Sequence, residues 1–539
     1  MSQQRTVDLL VALDRTSTAP EGVTRQLYTQ LRTAIATGRL RAGERLPPTR
    51  DLARQLGVAR LTVATAYDWL RAEGYVFGRV GAGTYVATAF QEMYAPHGAP
   101  AEQPTEPTRD GAVGAHLGDD GVSGDRWETT PRAPLTAWAR RIASISLAGI
   151  GQPDPAPFDF RPGIGAAEAF PWARWRRVVG WQDPADRQAE RRIHARESAV
   201  RAGRWDALLG PLETREAIAA WLRRSRAVRC EPEQVLVAGS VQQMLALLAR
   251  LLVEPGQSLI VEDPSYVGFH AAFLAEGARL VGVSVDGCGL QVDALPEPGA
   301  HAAESAAHLA VVTPSHQYPT GVTLALERRV ALLEWARRSE VVLVEDDYDG
   351  DLRLEGQPLE ALRGLDDRDE VIYLGTFAKA LYPALRLGYA VLPHWLIEPV
   401  ARARAASDRH PTWRDALAVA RFIEAGELER HLARVRRLYR ARRDALVAAL
   451  RAEVGELVTI GPAEAGIHLL ASLPEGVDDV GIATEAQRRG IALTPLSPHY
   501  QSMPQPGLLL GFGALDEAHL VEGVRLLAPI IRGAMAERQ

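Results

Sequence analysis

The chain has 539 residues, 47% hydrophobic and 24% charged. At roughly 150 residues per domain this suits two to four globular domains and excludes a wholly disordered, collagen-like or disulfide-scaffold protein. Two cysteines (Cys230 and Cys288), no run of about 18 apolar residues and no signal-peptide pattern in MSQQRTVDLLVALDRTS point to a reducing cytoplasm, with no membrane span and no metal site expected. The net charge of −6 is uneven: residues 1–90 hold twelve arginines against seven carboxylates, +5, which leaves −11 for the rest.

Residues 24–36, TRQLYTQLRTAIA, place Leu27, Leu31 and Ile35 on one helical face. Gly38 and Gly43 break that helix, and Leu46-Pro47-Pro48 turns the chain. Thr49 is expected to N-cap a short helix, Arg50–Leu56, which Gly57 ends in a left-handed turn. A second helix is expected over about Arg60–Glu73, burying Val63, Tyr67 and Leu70. Helix, glycine turn, helix is the helix-turn-helix pattern, whose second helix enters the major groove. The exposed face at its start carries Arg60, Thr62 and Thr65; arginine suits guanine edges, and threonine suits phosphate or base contacts. Gly74-Tyr75-Val76-Phe77 and Gly83-Thr84-Tyr85-Val86 bracket a basic tip and read as a β-hairpin. A helical hairpin that binds nothing has the same pattern; the basic charge argues for a polyanion partner.

The stretch GRLRAGERLPPTRDLARQLGVARLTVATAYDWLRAEGYVFGRVGAGTYV resembles the winged helix-turn-helix of GntR-type bacterial transcription regulators. The resemblance implies operator DNA as partner, with Arg50 and Arg60 as leading contacts, then Thr62 and Gly83. A wing residue without Cβ lets the backbone approach phosphate.

Residues 91–134 are rich in Pro and Gly and read as a linker, followed by an expected short helix at Leu135–Ser144. From about residue 157, strand-like runs alternate with helical stretches. Strands are expected at Val235–Ala238, Ser258–Glu262, Leu309–Thr313, Val341–Glu345 and Val371–Leu374, with helices such as Val241–Leu252 and Leu326–Arg338 between them. This alternation argues for an α/β body with a mostly parallel central sheet. The expected division is a head over 20–89, a linker over 90–156 and a body over 157–535.

The chain holds one lysine, Lys379. Arginine cannot replace lysine where a neutral amine nucleophile is needed, and Schiff-base formation is such a chemistry. Accidental survival of one lysine is the competing explanation. Lys379 closes Gly375-Thr376-Phe377-Ala378-Lys379 just after one expected strand, and another runs into Asp346-Asp347-Tyr348. Ligands of open α/β sheets bind at the carboxyl ends of strands, so an acid, a phenol and the sole lysine are expected in one crevice. Pyridoxal phosphate needs this set: an amine, a carboxylate for its pyridine nitrogen, a phenol for O3′, and a helix N-terminus with a cation for its phosphate. Ser240, Val241 and Gln242 open a helix, Arg386 supplies the cation, and Tyr266 is placed to lie against the ring. Singly, these residues read as a strand cap, an N-cap and a core tyrosine; their conjunction carries the argument.

The segments DFRPGIGAAEAFPWARWRRVV, VTPSHQYPTGVTLALERRVALLEWARRSEVVLVEDDYDGDLR and VIYLGTFAKALYPALRLGYAVLP resemble fold-type I aminotransferases. They resemble more closely the regulatory domain of the MocR/GabR subfamily. That resemblance implies a smaller C-terminal subdomain and pyridoxal 5′-phosphate as cofactor. It implies Lys379 as Schiff-base lysine, Asp346 on the pyridine nitrogen and Tyr348 on O3′. Ser240, Val241, Gln242 and Arg386 would surround the phosphate, with Thr376 in support. It also implies a head-to-tail homodimer, each head against its partner's body; the linker, as a coil, spans on the order of 35 Å.

The chain departs from the family in three places. Ala378 and Ala380 replace hydroxyl residues of the usual Gly-Thr-Phe-Ser-Lys-Thr-Leu, and Gly239-Ser240-Val241-Gln242 replaces Ser-Gly-Ala-Gln. In Leu496-Ser497-Pro498-His499-Tyr500, Pro498 stands where the family commonly has an arginine for a ligand's α-carboxylate. Either His499 or another arginine substitutes, or the effector is not an ordinary amino acid. The expected function is a regulator that senses a small amine, an amino acid or the cofactor itself through an aldimine. The alternatives are an aminotransferase carrying a DNA-binding head, and a body that only dimerises.

Overall fold

The computed structural model describes residues 13, 23–37, 39–73, 75–79, 83–87, 134–145, 156–179, 208–297, 307–356, 359–409 and 413–537. They belong to two compact units, residues 1–126 and 127–539. Among the described residues, no helix is long and apolar enough to cross a membrane.

The first unit consists of α1 (Val23–Ala36), α2 (Thr49–Leu56), α3 (Arg60–Ala72) and an antiparallel pair, β1 (Val76–Arg79) and β2 (Gly83–Val86). Leu27, Leu31 and Ile35 of α1 are buried with Leu52, Val63, Tyr67 and Leu70, the apolar stripes of the other two helices. Gly57 ends α2 at φ +60°, as the turn requires. Thr49 does not cap α2. Its backbone is already helical, because Pro48 takes the N-cap place and its carbonyl accepts from the amides of Asp51 and Leu52 at 2.9 and 3.0 Å.

In the second unit, α4 (Ala137–Ser144) forms within the stretch expected as linker. Trp138 Nε1 donates to Glu276 at 3.0 Å and Arg141 Nε to the Ala275 carbonyl at 2.8 Å, so this turn of chain is packed against the body. Most of the remaining stretch, 88–133 and 146–155, lies outside the described residues.

The body supplies β3 (Phe158–Asp159), β4 (Val235–Ala238), β5 (Ser258–Asp263), β6 (Arg279–Asp286), β7 (Gly289–Leu290), β8 (Ala307–Val312), β9 (Val342–Asp347), β10 (Val371–Thr376) and β11 (Gly388–Val391). One sheet has the order β4-β11-β10-β9-β8-β5-β6-β7. It is parallel except that β11 opposes both its neighbours and β7 hairpins back on β6. Alternate residues feed two cores. Leu259, Val261, Val311 and Val344 pack on one face, and Ile260, Ala310, Val312 and Leu343 on the other.

β9 runs two residues beyond its expected end. Asp346 and Asp347 are therefore strand residues, registered against Leu374 and Gly375 of β10 and directed to opposite faces. A four-stranded antiparallel sheet, β12 (Thr459–Ile460), β13 (His468–Ser472), β16 (Gly507–Gly511) and β15 (Thr494–Pro495), forms the smaller C-terminal part. β3 joins that part by pairing with β14 (Ile491–Ala492), which sets the following loop, Arg161–Gly165, beside the parallel sheet.

Candidate functional site

A cavity of about 460 Å³ opens at the carboxyl ends of the parallel strands. Lys379, Asp346, Tyr348, Ser240, Val241, Gln242, Tyr266, Thr376 and Arg386 all line it. The topology explains the convergence. β4, β5, β9 and β10 run the same way, so the residues that follow them collect at one edge.

Lys379 sits on a one-turn helix, Phe377–Ala380, after β10, whose second amide is capped by Thr376: Oγ1 accepts from Ala378 N at 3.1 Å. Its Nζ donates to the Gly163 carbonyl at 2.8 Å. Burial lowers the amine pKa below its usual value, and Asp349 and Asp346 partly oppose that shift. Lowering it enlarges the neutral, nucleophilic fraction.

The two adjacent aspartates have different surroundings. Asp347 Oδ2 accepts from Arg226 Nε at 2.6 Å and from the Tyr373 hydroxyl at 2.5 Å, in an ion pair whose side chains are 2% exposed on both sides. Asp346 lines the cavity, and its Oδ1 is buried without a hydrogen-bond partner. Burial raises its pKa well above the usual carboxylate value, Asp347 and Asp349 push the same way, and Lys379 opposes them. Asp346 is thus the carboxylate left wanting a cationic donor.

Tyr348 OH lies 2.9 Å from His316 Nδ1, which lies 2.9 Å from Asp349 Oδ2. With the Asp349 carboxylate oxygen as acceptor, Nδ1 carries the ring hydrogen and Tyr348 keeps its own hydrogen to donate elsewhere. Ser240 caps α5 (Val241–Leu252), its Oγ accepting from Gln243 N at 3.1 Å. The first amides of α5, on Val241 and Gln242, have no partner within the helix. Arg386 is exposed and lines the same cavity, so free amides and a cation meet there as in an anion cup. Tyr266 packs edge-on against Tyr318, centroids 5.6 Å apart.

His499 does not supply the missing positive charge. It is 2% exposed, and burial pulls its pKa down to about 4, so the ring is neutral near pH 7. Arg161 also lines the cavity, but its guanidinium clamps the Asp159 carboxylate, with Nε to Oδ1 at 2.7 Å.

In the first unit, Arg50 and Arg60 are exposed, Thr62 and Thr65 are half-buried at the start of α3, and Arg60 Nε lies 3.4 Å from Thr49 Oγ1. Gly83 is exposed at φ +115°, and a Cβ there would stand 2.8 Å from Arg45 Nε. Arg45, which the motif reading passed over, is therefore a wing cation. Its pairing with Tyr85 across an isolated bridge fixes its place, and only tertiary structure reveals it.

Comparison with known proteins matches both units. Residues 23–86 fit the family of bacterial regulatory proteins, gntR family, and residues 182–505 fit aminotransferase class I and II. A probable rhizopine catabolism regulatory protein, MocR, of Rhizobium meliloti is 36% identical over 521 residues, covering 96% of this chain and 95% of that protein. The chain belongs to the MocR/GabR subfamily of GntR-type transcription regulators. The pyridoxine biosynthesis transcriptional regulator PdxR of Corynebacterium glutamicum is 30% identical, covering 95% of the chain and 96% of that protein. Among solved structures, the α-aminoadipate aminotransferase LysN of Thermus thermophilus, complexed with N-(5′-phosphopyridoxyl)-L-leucine, superimposes with a TM-score of 0.62. It is 28% identical and covers 75% of this chain and 98% of its own.

The regulator's body is thus a fold-type I aminotransferase domain, a class that implies pyridoxal 5′-phosphate. Its residues suit that group. Asp346 Oδ1 is an orphaned acceptor for a protonated ring nitrogen, Tyr348 has a hydrogen to give, and the start of α5 with Arg386 suits a phosphate. When bound, the cofactor supplies a carbonyl that condenses with amines and a ring that withdraws electrons. Motif reading passed over Gly163, His316, Asp349 and His468 in this regulator. Three of them lie inside the family-like segments, but nothing in their spacing tells which side chain they touch.

Proposed function

We propose that this chain is a bacterial, cytoplasmic transcription regulator that depends on pyridoxal 5′-phosphate. Its head, residues 20–89, binds operator DNA through Arg50, Arg60, Thr62, Thr65 and the Gly83 wing. Residues 90–156 connect the head to an effector domain, 157–535. There Lys379 forms the Schiff base, Asp346 pairs with the ring nitrogen and Tyr348 holds O3′. Ser240, Val241, Gln242 and Arg386 hold the phosphate, with Thr376 behind them and Tyr266 against the ring. The body senses a small amine, an amino acid or the cofactor, and a head-to-tail homodimer conveys the change to the DNA-binding heads.

One observation carries this reading: the only lysine of the chain lies half-buried in the cavity that also holds the other eight residues. The test is the absorption spectrum of the purified protein before and after borohydride, with mass mapping of the adduct. A yellow band trapped on Lys379 supports the reading. No band with added cofactor refutes it.

A second reading, an aminotransferase with a DNA-binding head, is favoured by the lowered pKa of Lys379, which suits turnover. Steady-state transfer of an amino group to a keto acid, at rates typical of enzymes, would select it.

A further inference from the structure

Among the described residues, three cations line the cavity: Lys379, Arg386 and Arg161. Lys379 and Arg386 are committed to the cofactor in the reading above. Arg161 is neutralised by Asp159, which it grips through Nε and a terminal nitrogen. Among the described residues of this wall, an entering carboxylate would find no unpaired positive charge, and a desolvated carboxylate without one is strongly disfavoured.

The neutral part of the wall has a definite polarity. His499 Nδ1 lies 3.1 Å from the Ser265 carbonyl, which can only accept. The ring hydrogen therefore sits on Nδ1, and Nε2 is a bare lone pair. His468 also lines the cavity and is 1% exposed. It bonds the Pro319 backbone carbonyl, and its Nε2 has no partner, so Nδ1 is the donor there too. Burial keeps both rings neutral near pH 7. Pro498, beside His499 on the wall, adds neither charge nor donor. Two imidazole lone pairs accept from hydroxyl or amine hydrogens and repel a carboxylate, which has none to give.

We infer that the effector is a primary amine without a carboxylate, bearing hydroxyl groups that donate to His468 and His499. The inference rests on the sensing site being at Lys379, as proposed above. It narrows the effector classes from amines, amino acids or cofactor to hydroxylated amines.

The test uses the full chain loaded with pyridoxal 5′-phosphate and titrated with matched pairs: L-alaninol against L-alanine, and serinol against L-serine. Each pair differs by CH2OH in place of the carboxylate. Binding is read by calorimetry and by the change in cofactor absorption. At least tenfold tighter binding of the alcohols is expected. Equal binding, preference for the amino acids, or no response to either member overturns the inference. A protein with no adduct on Lys379, seen before any amine is added, overturns the sensing reading as well, so the two failures are told apart. Pro498→Arg is expected to raise alanine affinity at least tenfold. A variant that is folded by circular dichroism and keeps the original preference would overturn the assignment of this wall.

Discussion

Lys379 Nζ donates to the carbonyl of Gly163, 216 positions earlier in the chain, at 2.8 Å. Gly163 holds φ +83°, and a Cβ there would stand 2.0 Å from Nζ. The loop between β3 and the remainder of the body thus positions the amine by a backbone acceptor that tolerates no side chain. Gly163→Ala is expected to displace Nζ and to cost about 1–2 kcal/mol of left-handed strain. Urea unfolding would measure the cost. Absorbance titration with pyridoxal 5′-phosphate would measure the loss of adduct formation, which a purely conformational penalty elsewhere would not produce.

Asp346 and Asp347 should respond in opposite ways to the same substitution. Asp347→Asn leaves Arg226 buried opposite a neutral amide, and breaking such a pair costs about 3–5 kcal/mol, read as a fall in the urea midpoint. Asp346 has no such partner. Burial raises its pKa, so the apoprotein binds its proton more tightly than the unfolded chain does, and stability falls as pH rises through that window. Asp346→Asn removes this burden. The apo variant is expected to melt higher than wild type near pH 7, with the gain shrinking toward pH 4. The same variant is expected to bind pyridoxal 5′-phosphate more weakly. Equal melting of the two apoproteins at pH 7 would contradict the argument.

The contrast between these aspartates marks where sequence reading ended. Lys379 was legible because an arginine-rich composition left it unique, and β4 and α5 were legible to the residue from apolar runs and caps. The end of β9 was not. Two acids resemble a turn, and only Arg226, 121 positions away, neutralises Asp347 so that the strand can continue through a buried layer. The tautomer of His499 had the same cause. Its donor is directed by a carbonyl 234 residues distant, and neither local pattern nor composition encodes that contact. In the head, Thr49 resembled an N-cap by type, but Pro48 before it starts the helix one residue early.

Lys379→Ala is expected to abolish the borohydride-trapped adduct while leaving operator affinity measurable, since the head is a separate compact unit. In the wild type, burial lowers the amine pKa, so adduct formation is expected to persist at lower pH than for an exposed lysine. A rate profile of cofactor binding from pH 6 to 9 checks this. A profile that follows an ordinary lysine, with the rate still climbing tenfold per pH unit at pH 9, would contradict it.

Arg60 is exposed at the first position of α3, the helix that the winged helix-turn-helix sets in the major groove, and its Nε makes a long 3.4 Å hydrogen bond to Thr49 Oγ1. A guanidinium so weakly held at home is available to a guanine edge. Arg60→Ala is expected to cost about 1–3 kcal/mol on operator DNA with little change on random duplex. Arg45, an exposed cation beside the Gly83 wing, is expected to contact phosphate instead. Arg45→Ala is expected to weaken operator and random DNA alike and to lower the slope of log affinity against log salt by about 1. Fluorescence anisotropy on both duplexes across a salt series separates the two roles, and the same salt slope in both variants would place both arginines on phosphate.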